Sequence, residues 1–173
     1  MRLLLLLLSV PSLLLANIAL PENFQADFVQ KITNPKQKVI TYSGKVRFSN
    51  KTLFKWSYRE PTKKEVCTDG KELLVVDHDL EQVSAYRISD GIDIAKILQK
   101  AEPYRPNVYV AVYEAKKYTI QVDREQKLHS IACFDDLDNK VQIIFQKMKY
   151  GKGDLPAESM KCNYPIAYDR IEG

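Results

Sequence analysis

The sequence predicts a mainly β protein, a single antiparallel meander that closes or curves strongly, with one amphipathic helix set between its strands. Three observations carry this expectation. Short stretches of apolar–polar alternation recur from residue 42 to residue 148, turn-forming residues separate them, and neither a repeat period nor a linker interrupts the run. A meander of that many strands does not stay flat, because accumulated twist makes a long sheet curl or split.

The 173-residue chain begins with Met1-Arg2, an apolar run over Leu3–Leu8, Val10 and Leu13–Leu15, and small residues at Ala16 and Ala19. That order of charged, apolar and small segments is the pattern of a secretory signal peptide. Ser9, Pro11 and Ser12 interrupt the run, which is shorter than the ~20 residues a membrane-spanning helix needs. Residues 1–19 are therefore expected to be removed, with cleavage after Ala16 or Ala19, leaving residues 20–173 as one domain. Cysteine occurs only at 67, 133 and 162, so the new N-terminus carries no thiol to lipidate and the product is expected to be soluble.

The first element is read as a short helix over Pro21–Ile32. Proline suits a first helical position, and Phe24, Phe28 and Ile32 repeat at four-residue spacing. Tyr42–Phe48 and Leu53–Tyr58 then read as paired strands across Ser49-Asn50-Lys51, with Phe54, Trp56 and Tyr58 on one face. Glu60-Pro61 ends the second. Val66-Cys67 leads through the turn Thr68-Asp69-Gly70-Lys71 into Leu73–Val76, which pairs with Gln82–Arg87 about Asp77-His78-Asp79. Within Ile92–Ala101, residues Ile94, Ile97, Leu98 and Ala101 fall at helical spacing, an inserted amphipathic helix. The proline-marked loop Glu102–Pro106 follows, then strands Val108–Ala115, Tyr118–Val122, Leu128–Phe134 and Val141–Met148. Residues 151–173 read as a polar tail without elements.

The concave face of such a sheet is expected to carry Val46, Phe48, Phe54, Trp56, Leu74, Val76, Tyr118, Ile120, Val141, Ile143 and Phe145. Periodicity leaves three arrangements open: a second sheet layer, a small barrel filled by its own side chains, or a cavity for an apolar ligand.

Chemistry-bearing motifs are missing. His78 and His129 stand apart, outside any H-x-x-x-H arrangement, and the cysteines lack C-x-x-C spacing. Asp135-Asp136-Leu137-Asp138-Asn139 lacks the glycine and distal glutamate of a calcium loop and reads as a turn. No nucleophile elbow, phosphate loop or dinucleotide fingerprint occurs, so no enzyme activity, metal or cofactor is expected. Lys plus Arg exceed Asp plus Glu by only 26 to 22, and clusters such as Lys63-Lys64 and Lys147–Lys152 do not interleave with a stacking platform of aromatics, so nucleic acid is not an expected partner. The cysteines read either as three buried thiols or as a Cys133–Cys162 bridge with one thiol left.

The segment Phe24-Gln25-Ala26-Asp27-Phe28-Val29-Gln30 resembles the F-x-A-x-F-x-Q opening of the periplasmic outer-membrane lipoprotein carriers, the LolA family. Gly44-Lys45-Val46-Arg47-Phe48, Leu53-Phe54-Lys55-Trp56, Pro61, the Asp69–Leu73 turn and Glu81-Gln82-Val83 follow in the same order. The resemblance covers about half the chain, from Phe24 to about Arg87 and more loosely through Val141–Met148.

It implies an unclosed antiparallel β-barrel whose concave apolar face is covered by short lid helices. It also implies a soluble periplasmic chaperone, expected to be monomeric. Such carriers take acylated lipoproteins from an inner-membrane ABC-type complex and pass them to an outer-membrane receptor. A lipid-sensing regulatory module or a general acyl-lipid carrier of the same half-barrel is the alternative. By this similarity Phe24, Phe28, Val46, Phe48, Phe54, Trp56, Leu74, Val76, Ile143 and Phe145 would face the lipid, and Ile94, Ile97 and Leu98 would form the lid. The Arg-Pro pair with which members tie the lid shut is Asn50-Lys51 here, which makes Arg47, Asn50 and Lys51 the candidates for lid closure.

Overall fold

The structure, a computed structural model, describes residue 18 and residues 20–50, 52–68, 72–87 and 94–172. Apart from Ile18, the expected signal segment lies outside the described residues, as do Lys51 and the turn at 69–71. In chain order the elements are β1 (Asn23–Thr33), β2 (Val39–Ser49), β3 (Leu53–Glu60), β4 (Lys64–Thr68), β5 (Glu72–Asp77) and β6 (Gln82–Arg87). Then come α1 (Ile94–Gln99), β7 (Glu102–Arg105), β8 (Val108–Tyr113), β9 (Lys116–Val122), β10 (Leu128–Phe134), β11 (Lys140–Gly151), α2 (Ala157–Met160) and β12 (Asp169–Glu172).

Among the described residues all twelve strands belong to one sheet, ordered β12-β6-β5-β4-β3-β2-β1-β11-β10-β9-β8-β7. Every pairing is antiparallel except β12 with β6, and the edge strands β12 and β7 do not meet, so the barrel stays unclosed. Among the described residues no helix is long and apolar enough to cross a membrane.

Three hairpins turn on the same device, a carboxylate accepting backbone N–H groups ahead of it. Asp123 Oδ1 takes Glu125 and Lys127, Asp135 Oδ1 takes Leu137 and Asn139, and Asp77 Oδ1 takes Asp79 and Leu80. The acidic run at 135–139 is thus a turn, with Asp138 in the left-handed region at φ 58°.

The expected N-terminal helix is a strand. β1 pairs with β2 along its length and with β11 on its other side, at the centre of the sheet. A four-residue spacing is even, so it places Phe24 and Phe28 on one face of a strand as well as of a helix. Ala26 between them completes the strand face, whereas Gln25 on the other side is exposed.

Two more segments depart from expectation. Glu102–Arg105 pairs as an edge strand around Pro103, and the tail forms α2 and β12. That tail crosses the back of the sheet as a strap. Leu155 N–H donates to Ser49 Oγ, Arg47 Nη1 to the Ser159 carbonyl, Lys55 Nζ to the Lys161 carbonyl, and Asn163 N–H to Glu65 Oε2. Cys67 and Cys162 close it as a disulfide with Cα atoms 5.7 Å apart. The pairing differs from both sequence readings, because β4 and the strap meet only in the tertiary fold; Cys133 is the free thiol.

Candidate functional site

The concave face is built by alternation carried across seven strands. Phe24 stands opposite Phe48, Ala26 opposite Val46, and Phe28 opposite Gly44; Phe48 then stands opposite Phe54 and Val46 opposite Trp56. Phe28 pairs on its other side with Phe145, and Gln30 with Ile143. Through β10, β9 and β8 the same face continues as Ile131, Ile120 and Tyr109.

The aromatic rings interlock. Phe24 stacks on Phe48 at 5.2 Å between centroids, and Phe48 lies 4.8 Å from Phe54. Phe28 meets the Trp56 and Tyr58 rings edge-on at 4.9 and 5.0 Å. Gly44 makes this possible: a Cβ there would sit 2.1 Å from the Ser57 carbonyl oxygen and 2.9 Å from Phe28. Burial pushes the Tyr58 phenol up to about 12, with Tyr42 adding to it, and its hydroxyl hydrogen-bonds Gln30 Oε1 at 3.0 Å.

Over this surface lies α1. Ile94, Ala95, Ile97 and Leu98 are buried and belong to the same core cluster as the concave aromatics. Lys96 and Gln99 face outward. The helix has only six residues, too few to be stable in isolation, so its conformation depends on this apolar contact. Ile18 and Leu20 pack against the edge of the same cluster.

Of the residues expected to face the lipid, Phe24, Phe28, Val46, Phe48, Phe54, Ile143 and Phe145 come together with Ile94, Ile97 and Leu98, and Trp56 packs against them half-buried. Leu74 and Val76 do not. Their partners in β4 are Cys67 and Glu65, and Cys67 in turn stands opposite Lys55, so both point to the back of the sheet under the strap. The physical reason is a register that alternation within one short strand cannot supply: Val66 and Val75 hold the concave positions instead. Ala26, Tyr109, Ala111, Leu128 and Ile131 join the core without having been singled out. The alternation of Tyr109 and Ala111 was the available signal for β8.

The lid-closing candidates are placed elsewhere. Arg47 is on the back, donating to Ser159, and so does not tie α1. Asn50 is exposed in the β2–β3 turn at φ 48°, its carbonyl accepting from the Thr52 hydroxyl. Lys51 is outside the described residues.

The arrangement offers apolar contact and little else. Among the described residues the buried polar ones are Asn23, Ser49, Lys55, Ser84 and Ser130, and the one buried charge, Lys55, is on the back paired with Glu65 at 3.1 Å. Among the described residues one group has metal-ligand spacing, Glu65 with Cys67 and Cys162. Its sulfurs are bonded to each other and its carboxylate holds Lys55. Cys133 is half-buried beside the core, and desolvation raises its thiol above the ordinary value.

Comparison with known proteins bears on this geometry. The family model of the outer membrane lipoprotein carrier protein LolA matches residues 21–99. An outer-membrane lipoprotein carrier protein of Wolinella succinogenes is 30% identical over 84% of this chain and 85% of its own. One from Campylobacter jejuni is 31% identical over 86% and 85% respectively. Two crystal structures share the fold at low identity. A conserved protein of Thermus thermophilus has a TM-score of 0.57 at 10% identity, covering 89% of this chain and 92% of that one. A LolA superfamily protein of Nitrosomonas europaea scores 0.51 at 12%, covering 84% and 93%.

Proposed function

The chain belongs to the LolA family of outer membrane lipoprotein carriers, and on that premise we propose that it shelters the acyl chains of lipoproteins on its concave face during transport through the periplasm. The observation that carries the reading is a continuous apolar face covered by one six-residue helix rather than by a second sheet. Each CH₂ taken out of water contributes about 0.8 kcal/mol, so one long acyl chain contributes about 12 kcal/mol. A water-soluble carrier must therefore enclose its cargo, and displacement of α1 would free the surface to do so.

In this reading residues 1–19 direct export and are cleaved, and residues 20–173 act as a soluble monomer. An inner-membrane ABC-type complex supplies the lipoprotein and the energy, and an outer-membrane receptor accepts the cargo. Phe54 and Trp56 touch the acyl chains, and Ile94, Ile97 and Leu98 are the lid. The test is release of a triacylated lipoprotein from spheroplasts on adding the purified mature protein with ATP and an active donor complex. Release as a soluble one-to-one complex supports the reading. Its failure with folded protein, while the donor complex serves its own carrier, overturns it. Phe54→Glu, which puts a charge on the apolar face, should fold yet release nothing.

A further inference from the structure

The back of the central strands carries a hollow of about 340 Å³ that acyl-chain binding leaves unused. Gln25 and Asp27 of β1, Lys45 and Arg47 of β2, and Lys147 and Lys149 of β11 line it. The register explains this concentration of charge. Gln25 stands between Arg47 and Lys149, and Asp27 stands beside Lys45, so cations flank β1 on both sides. A bulge in β11 adds another. Between Gln25 and Asp27 the partner strand steps from Lys149 to Gln146, one residue too many, and Lys147 takes φ 52°. Its Nζ then reaches Asp27 Oδ2 at 3.2 Å.

Four cationic side chains thus surround one carboxylate, and that carboxylate is engaged by Lys147 and, at 3.7 Å, by Arg59. Arg47 is held in place through one donor to Ser159, which leaves its remaining N–H groups available. The side chains of Lys45 and Lys149 make no hydrogen bond or ion pair with a described residue. Like charges on neighbouring strands repel, so the arrangement is costly until a small anion neutralises it. A phosphate group has the required properties: compact, doubly acceptor-rich, and matched both by lysine point charges and by the planar arginine fork.

We propose that this hollow binds a phosphate group, carried on a lipid headgroup or on a soluble phosphate ester. The inference does not rest on the carrier reading, since it concerns the opposite face of the sheet and uses none of the lid residues. It is tested on the purified protein by NMR titration with inorganic phosphate and with glycerol phosphate. In parallel, binding is measured to vesicles of phosphatidylcholine with and without phosphatidylglycerol. Saturable shifts are expected at residues 25–27, 45–47 and 147–149. Lys45→Ala with Lys149→Ala should weaken binding about tenfold, the loss expected for charge-assisted hydrogen bonds. Lys45→Arg with Lys149→Arg should retain it. Lys36→Ala with Lys38→Ala, an equal change of net charge at the exposed β1–β2 turn, should leave it unchanged. Vesicle binding in the same ranking places the phosphate on a lipid; saturable glycerol phosphate binding without vesicle binding places it on a soluble ester. Equal losses in the two alanine pairs, or no saturable response to any of these probes, would overturn the proposal.

Discussion

Shortening Ile97 to alanine should make the protein less stable and its hold on an acyl chain tighter. Ile97 is fully buried between α1 and the concave face. Truncating a buried isoleucine costs about 2–5 kcal/mol, and a six-residue helix that can settle toward the gap belongs near the lower end. If α1 occupies the place an acyl chain must take, the same free energy is removed from the form that competes with the ligand. A change of about 2 kcal/mol then lowers the apparent dissociation constant about thirtyfold, provided the closed form predominates. Both effects are read on one preparation, stability by denaturant unfolding and affinity by titration with a fluorescent acyl probe. Val83→Ala is the control, because Val83 is as deeply buried but outside the concave cluster. It should lower stability without tightening binding. Loss of stability in Ile97→Ala with unchanged or weaker probe binding would refute the idea that helix and ligand share one site.

The remaining predictions concern the frame. Cys162→Ser opens a cross-link spanning 95 residues and should cost about 4–5 kcal/mol by loop-closure entropy, measured as a lower denaturant midpoint. Cys133→Ser should leave the midpoint in place, and equal midpoints for all three proteins would contradict the structural role of the bridge. Gly44→Ala should cost about 3 kcal/mol, the upper end of the overpacking range, since the new methyl meets the Ser57 backbone as well as the Phe28 ring. A melting temperature near that of the parent would show that the register shift between β2 and β3 at Ser43/Gly44 relaxes. Folding favours the protonated Tyr58 phenol, so its contribution is complete below pH 10 and is lost as pH rises from 10 toward about 12. The stability difference between the parent and Tyr58→Phe should therefore be constant to pH 10 and shrink above it; a difference that persists to pH 11 would count against this assignment.

What the sequence revealed follows the length of each signal. Alternation over six to eight residues placed β3, β10 and β11 and put Phe54, Trp56, Ile143 and Phe145 on one face. Helical spacing placed α1 correctly because 94, 97, 98 and 101 fit no strand period. The helix expected at Pro21–Ile32 failed for the converse reason: a spacing of four satisfies both periods, and only pairing with β2 and β11 decides between them. Leu74 and Val76 failed on register, a property of the pair β4–β5 and not of either strand. The strap was illegible because its ties are single contacts to strands about a hundred residues away, and β12 has only four residues. The basic hollow was illegible in the same way, since Lys45 and Lys149 become neighbours only through β1.

On the carrier reading proposed above, these two faces would let cargo enter without unfolding the protein. The backbone hydrogen bonds of the sheet run between strands and do not involve α1, so removing the helix leaves them intact. What the helix contributes is three large side chains, each worth about 2 kcal/mol when buried, or about 6 kcal/mol in all. On that reading one acyl chain would bring about 12 kcal/mol to the same surface, enough to displace it. The returning helix would then offset about half of that when cargo leaves, lowering the barrier to hand-over without trapping the protein empty and open. For this balance to operate, the sheet must keep its curvature while its concave face is vacated. The strap supplies that constraint from behind, anchored on β2, β3 and β4 by Ser159, Lys161 and the Cys67–Cys162 bond. On this reading a weak cover on one face and a covalent brace on the other would confine the opening to α1.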